Sequence, residues 1–144
     1  MQRVALSGMI IALLVFVVVV QTSSQESATK VYRDQFVSLH DRVQDMLGRS
    51  KAMPSRGERA PLNDELFATL KLVHRLEEEA AKTYYDGLQQ GRAPDKPLLL
   101  VAQGCDGLNF VINALQNFLE TQDHAFLGFA VDGMATVKSI RKLL

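Results

Sequence analysis

With a single cysteine, Cys105, the chain cannot close an internal disulfide, so it is not one of the small secreted scaffolds that staple a minimal core. Stability has to come from packing. No cysteine ends the N-terminal apolar run, so there is no lipoprotein-type attachment site, and no Cys-x-x-Cys-His stretch offers covalent attachment of haem. Asn-x-Ser/Thr is also absent, which suits a bacterial envelope protein. Neither sign of charge is in excess, because sixteen Lys and Arg balance sixteen Asp and Glu. Nucleic acid is therefore a poor partner, since neutralising a phosphate backbone takes clustered cations in excess. The sequence has no Walker loop, dinucleotide fingerprint, Gly-x-Ser-x-Gly elbow or His-Glu-x-x-His pair, and with them goes the usual support for catalysis. The chain is expected not to be an enzyme and to carry no cofactor.

What is present in excess lies at the start. Arg3 is followed by Val4–Val20, 17 residues without a charge and rich in Val, Ile and Leu. That length is at the short end for a spanning helix and slightly beyond a usual signal-peptide core. Residues 1–24 are thus expected to be either an uncleaved signal anchor or a signal peptide removed after export. Thr22 and Ser24 only partly imitate a cleavage site, and the stretch after the run has no Pro or Gly breaker, which favours the anchor. The single cation, Arg3, precedes the run, so the body is expected to face outward: inner membrane facing the periplasm, or periplasmic or secreted if the leader is cleaved.

Removing the leader takes away only Arg3 and leaves about 120 residues, one domain's worth of chain. Apolar positions in this part recur every three or four residues, the period of an amphipathic helix. Tyr32, Phe36, Leu39, Val43 and Met46 mark a first helix over about 25–47, with Gly48 as its stop. Pro54, Gly57 and Pro61 predict a long loop over Arg49–Leu62. A second helix over about 64–90 then starts at Asn63 or Asp64 and carries Leu66, Leu70, Val73, Leu76, Ala80, Tyr84 and Leu88. Asp95 as N-cap and Pro97 in the first turn open a third helix over about 97–121, whose seam of Leu98, Val101, Cys105, Leu108, Ile112, Leu115 and Leu119 has no fault. Asp123 caps a fourth over about 124–143, with Phe126, Ala130, Val137 and Ile140. The expected fold class is all-α: an N-terminal hydrophobic helix followed by an antiparallel up-down four-helix bundle over 25–144, its helices of matched length.

Candidate sites are few. His40, His74 and His124 sit one each on three helices, at boundary positions, where solvated or capping roles are the usual ones. Glu120 and His124, four apart, could offer two metal ligands if the helix ran on through Asp123, and no Glu-x-x-His completes a dinuclear site. Cys105, on the seam with Asp106 beside it, is expected to be a buried small hydrophobe. Glu77-Glu78-Glu79 reads as a solvated face. Of Tyr84 and Tyr85, one is needed by the core and the other can cover it. Gly104, Gly107, Gly128 and Gly133 are costly inside helices and call for a reason, either close approach of the third and fourth helices or a gap for an apolar ligand. Phe110, Phe118, Phe126 and Phe129 exceed what one narrow seam can bury, and Arg49, Arg56 and Arg59 gather in the long loop. These seven form the expected interaction surface. The sequence points to a non-enzymatic helical-bundle interaction module of the cell envelope. It would bind the membrane through the N-terminal helix and a protein partner or a second copy through these residues. The alternative is a periplasmic bundle that binds a small ligand, metal or haem.

Overall fold

A computed structural model describes residues 28–144, and the expected leader, residues 1–24, together with the first residues assigned to the bundle, lies outside them. Four helices account for nearly all of the described residues: α1 (28–51), α2 (Arg56–Gln89), α3 (Lys96–Thr121) and α4 (His124–Arg141), with no strand among them. The unit from Tyr32 onward is described below.

The ends of α3 and α4 fall where the sequence puts them. Asp95 accepts a hydrogen bond from the Leu98 amide at 3.2 Å, and Asp123 accepts one from the Ala125 amide at 2.9 Å. Each satisfies one of the orphan donors of a first turn. Gly91, at φ +74, and Gln122, at φ +58, take the left-handed conformation in the links that follow α2 and α3.

The expected Arg49–Leu62 loop is not one. Helix α1 runs through Gly48 to residue 51, and α2 begins at Arg56, so only residues 52–55 separate them. The break sits at Met53-Pro54, where Met53 is left-handed (φ +57) and proline cannot continue the helical ladder. Helix α2 can start early because the Glu58 side chain accepts from both the amide (2.8 Å) and the hydroxyl (2.6 Å) of Ser55. That is the signature of a helix start two turns ahead of Asn63. Pro61 then lies inside the helix near its beginning, where only one ladder bond is lost. The helices are consequently unequal, α2 having 34 residues and α4 only 18.

All seven seam residues of α3 are buried, and the helix forms the centre of the core. Against it lie Phe36, Val43 and Met46 of α1, Leu66, Val73 and Leu76 of α2, and Ala130, Met134 and Val137 of α4. By length and composition α3 could cross a membrane, with mean hydropathy 1.4 over its most apolar window; 56% of that window is buried among its neighbours, as befits a core helix. Three polar residues enter the helix interfaces and each donates a hydrogen bond there, although the Asn109 Oδ1 is buried without a partner. Ser50 and Thr69 donate to the carbonyls of Met46 and Glu65 four residues back (2.9 and 2.8 Å), and the Asn109 amide donates to Glu77 at 2.7 Å.

Side chains pair across the helices at several levels. Tyr32 meets Thr83 (3.3 Å) and Arg49 meets Glu65 (2.6 Å) between α1 and α2, and Asn109 meets Glu77 between α3 and α2. Asp41 of α1 pairs with Arg141 of α4, and Arg33 of α1 donates to the Leu144 carbonyl at 3.4 Å, just past the end of α4.

Candidate interaction surface

Helices α3 and α4 meet through small residues and leave aromatic ones outside. A Cβ on Gly107 would lie 2.7 Å from Val137 Cγ2, and one on Gly133 would lie 2.8 Å from Phe110 Cδ1 and 3.0 Å from Val111 Cγ2. Both glycines thus serve the close approach expected of this pair. Gly104 does not: its missing side chain makes room for Phe36 of α1, whose ring carbons would be 2.5 Å from a Cβ. No gap for an apolar ligand remains at these three positions. Gly128 has nothing within 4 Å and faces solvent.

The ring of Phe110 covers Gly133 yet is 54% exposed. One turn earlier on α4, on the same face, stands Phe129, 51% exposed, with the half-buried Phe126 ring against it edge-to-face at 6.2 Å and 77°. Phe110, Phe129 and Phe126 therefore line one flank of the α3–α4 pair. Phe118, expected beside them, is fully buried. It occupies the core face of α3, next to Leu115 and Leu119 of the seam, because the apolar stripe of this helix is wide enough to bury it. Phe67 on α2, not singled out in the sequence, is 53% exposed with the Lys71 ammonium 4.5 Å above its ring.

The basic residues are less available than their clustering suggests. Arg49 pairs with Asp45 at 3.0 Å and with Glu65 at 2.6 Å, and the Glu65 carboxylate raises its affinity for its proton. Glu65 also reaches Arg42 at 3.5 Å, so one carboxylate of α2 holds two arginines of α1 and its own pKa falls, chiefly through the hydrogen bond from Arg49. Arg59 is half-buried on α2, and only Arg56 is freely exposed at the helix start. Tyr84 and Tyr85 touch edge-to-face at 5.4 Å, the first half-buried and the second 59% exposed.

Glu120 and His124 are both exposed on either side of the α3–α4 break, with the His124 ring 5.7 Å from that of Phe118. Among the described residues no group of three or more His, Cys, Asp or Glu comes together to hold a metal. Cys105 is fully buried, and its thiol is pushed up to about 12, first by burial and then by the charge of Glu77. Within the Glu77–Glu79 run only Glu78 is simply exposed, because Glu77 accepts from Asn109 and Glu79 pairs with Arg75 at 2.8 Å.

His40 is the residue whose position the sequence misplaced most. Rather than lying at a boundary, its ring is 3% exposed, near the Phe36 ring (6.4 Å). Its Nδ1 lies 3.1 Å from Asp41 Oδ1 and 2.8 Å from Arg141 Nη1, and its Nε2 is buried without a hydrogen-bond partner. The signal in the sequence was faint: His40 follows the seam residue Leu39 and lies four residues from Phe36, on the same helical face. The chain matches no known protein family, no curated protein and no solved structure.

Proposed function

We propose that the chain is a non-enzymatic module of the cell envelope, anchored or exported through the apolar run Val4–Val20, whose antiparallel up-down bundle binds another protein or a second copy of itself. The observation that carries the reading is the aromatic flank of α3 and α4. Phe110 and Phe129 each leave about half of their surface in water, although all seven seam residues of α3 are buried. Exposed rings held on rigid helices are the usual anchors of protein contacts. The antiparallel arrangement is supported by the order of cross-helix pairs. As α1 advances from Tyr32 to Arg49, its partners on α2 retreat from Thr83 to Glu65. As α3 advances from Gly107 to Phe110, its neighbours on α4 retreat from Val137 to Gly133.

The test uses the whole 144-residue chain in mild micelles, with mass measured by light scattering after size exclusion. A dimer or larger assembly that becomes monomeric in the Phe110→Ser, Phe129→Ser double variant supports the reading. A strictly monomeric chain that also yields no cross-linked partner in its native membrane removes it. Anchorage is read separately, from resistance of the chain to alkaline extraction of membranes.

A further inference from the structure

Two contacts gather one end of the bundle. Tyr32 of α1 meets Thr83, near the end of α2, at 3.3 Å, and Arg33 donates to the Leu144 carbonyl at 3.4 Å. Residues 32–34, 82–99 and 138–144 therefore lie together: the last two turns of α2, the link to α3 and its first turn, and the last turn of α4 with the residues after it. The charge of this end is lopsided. These segments hold seven Lys and Arg against three Asp, whereas the rest of Tyr32–Leu144 holds seven against twelve Asp and Glu. One end is thus positive by four charges on a unit that is negative overall. Of its three carboxylates, Asp95 accepts from the Leu98 amide and Asp34 lies 4.0 Å from Arg33. Lys82, Lys96, Lys138 and Lys142 are exposed and join no ion pair among the described residues. Apolar groups stand among these cations. Tyr85, Leu88 and Leu99 are exposed, and Leu143, at 71%, is the most exposed large hydrophobic side chain described.

We propose that this end of the bundle docks on a bilayer surface rich in anionic headgroups, its lysines against the lipid phosphates and Tyr85, Leu99 and Leu143 at the boundary with the acyl chains. Clustered lysines are drawn to an anionic surface, tyrosine is favoured at the headgroup level, and leucine gains by leaving water. The negative remainder of the unit is repelled by the same surface, so the field turns the bundle end-on. An acidic protein would also suit the lysines, and the chain before Tyr32 decides for lipid. Only residues 21–31 separate the apolar run from Tyr32, and fully extended they reach about 40 Å, so an anchored chain keeps this end near the headgroups. That step rests on the anchor proposed above; the charge and the exposed apolar groups do not.

The experiment is amide hydrogen exchange on the whole chain in two vesicle preparations, phosphatidylcholine alone and phosphatidylcholine with about 30% phosphatidylglycerol. With phosphatidylglycerol, protection of residues 82–99 and 138–144 is expected to rise on the order of tenfold relative to the middle of α3. In about 0.5 M salt it is expected to return to its level in the neutral vesicles. The Lys96→Glu, Lys142→Glu double variant alters two exposed positions and brings this end to zero net charge, so it is expected to show no rise. The proposal is overturned if protection is the same in both vesicles, if the rise survives salt or the double variant, or if it falls around Phe110 and Phe129 instead. It is overturned as well if soluble polyglutamate protects this end and phosphatidylglycerol does not, which would assign the end to an acidic protein. Flotation with pure phosphatidylcholine vesicles reads the anchor separately: its absence removes the anchor, while the phosphatidylglycerol comparison still decides the docking.

Discussion

The ring of Phe36 on α1 occupies the space that a side chain at position 104 of α3 would need, with two ring carbons 2.5 Å from where a Cβ would be. Phe36 is fully buried. Gly104→Ala would gain about 1 kcal/mol in helix propensity and lose about 1–3 kcal/mol to overpacking, so a net loss of about 1 kcal/mol is expected. Urea unfolding followed by circular dichroism measures it. In a double-mutant cycle with Phe36→Leu the combined loss should be smaller than the sum, because the shortened side chain vacates the clash.

Gly128 provides the opposite case. It sits inside α4, exposed, and nothing approaches within 4 Å of a Cβ built there. Gly128→Ala should therefore stabilise the bundle by about 0.5–1 kcal/mol, the propensity difference with no packing cost. An unchanged or lower urea midpoint would mean that the glycine serves a contact made only with a partner on this face.

The contrast between these two glycines shows what could be read from the sequence and what could not. The α3 seam and the caps at Asp95 and Asp123 depend on local period and local hydrogen bonds, and those are visible along one chain segment. The partner of Gly104 is not: sequence says that a helical glycine needs a neighbour, but only the fold says that Phe36, and not α4, supplies it. Phe118 and His40 were misplaced for a related reason. Each lies one position from a seam residue, where a small change in the width of the buried stripe decides between water and core. The early start of α2 was hidden because Pro61 and Gly57 are read as loop residues, while the interaction of Glu58 with Ser55 outweighs them.

Cys105 should be almost unreactive while the bundle is folded. Raising the thiol from 9.0 to about 12 lowers the thiolate fraction at pH 8 by about a thousandfold, and full burial slows access further. Maleimide or dithionitrobenzoate should therefore label the folded chain at a rate set by opening of the bundle and label it immediately in urea. Rapid labelling without denaturant would show that the α2–α3 seam opens on its own.

Acid should weaken the bundle in two steps. At His40 the folded pKa lies below the unfolded 6.5, so above that value neither state binds the proton and stability is complete. As pH falls from 6.5 toward the folded value, the unfolded chain takes up a proton that the fold refuses, and stability declines. Asp41 and Glu65 are lowered from 3.8 and 4.5 by their partners, so the stability they add is present above those values and is lost as pH falls through their folded ones. Urea midpoints measured from pH 8 to pH 3 should then show an upper decline beginning near 6.5 and a lower one beginning near 4.5. His40→Asn should remove only the upper decline, and Glu65→Gln should reduce only the lower.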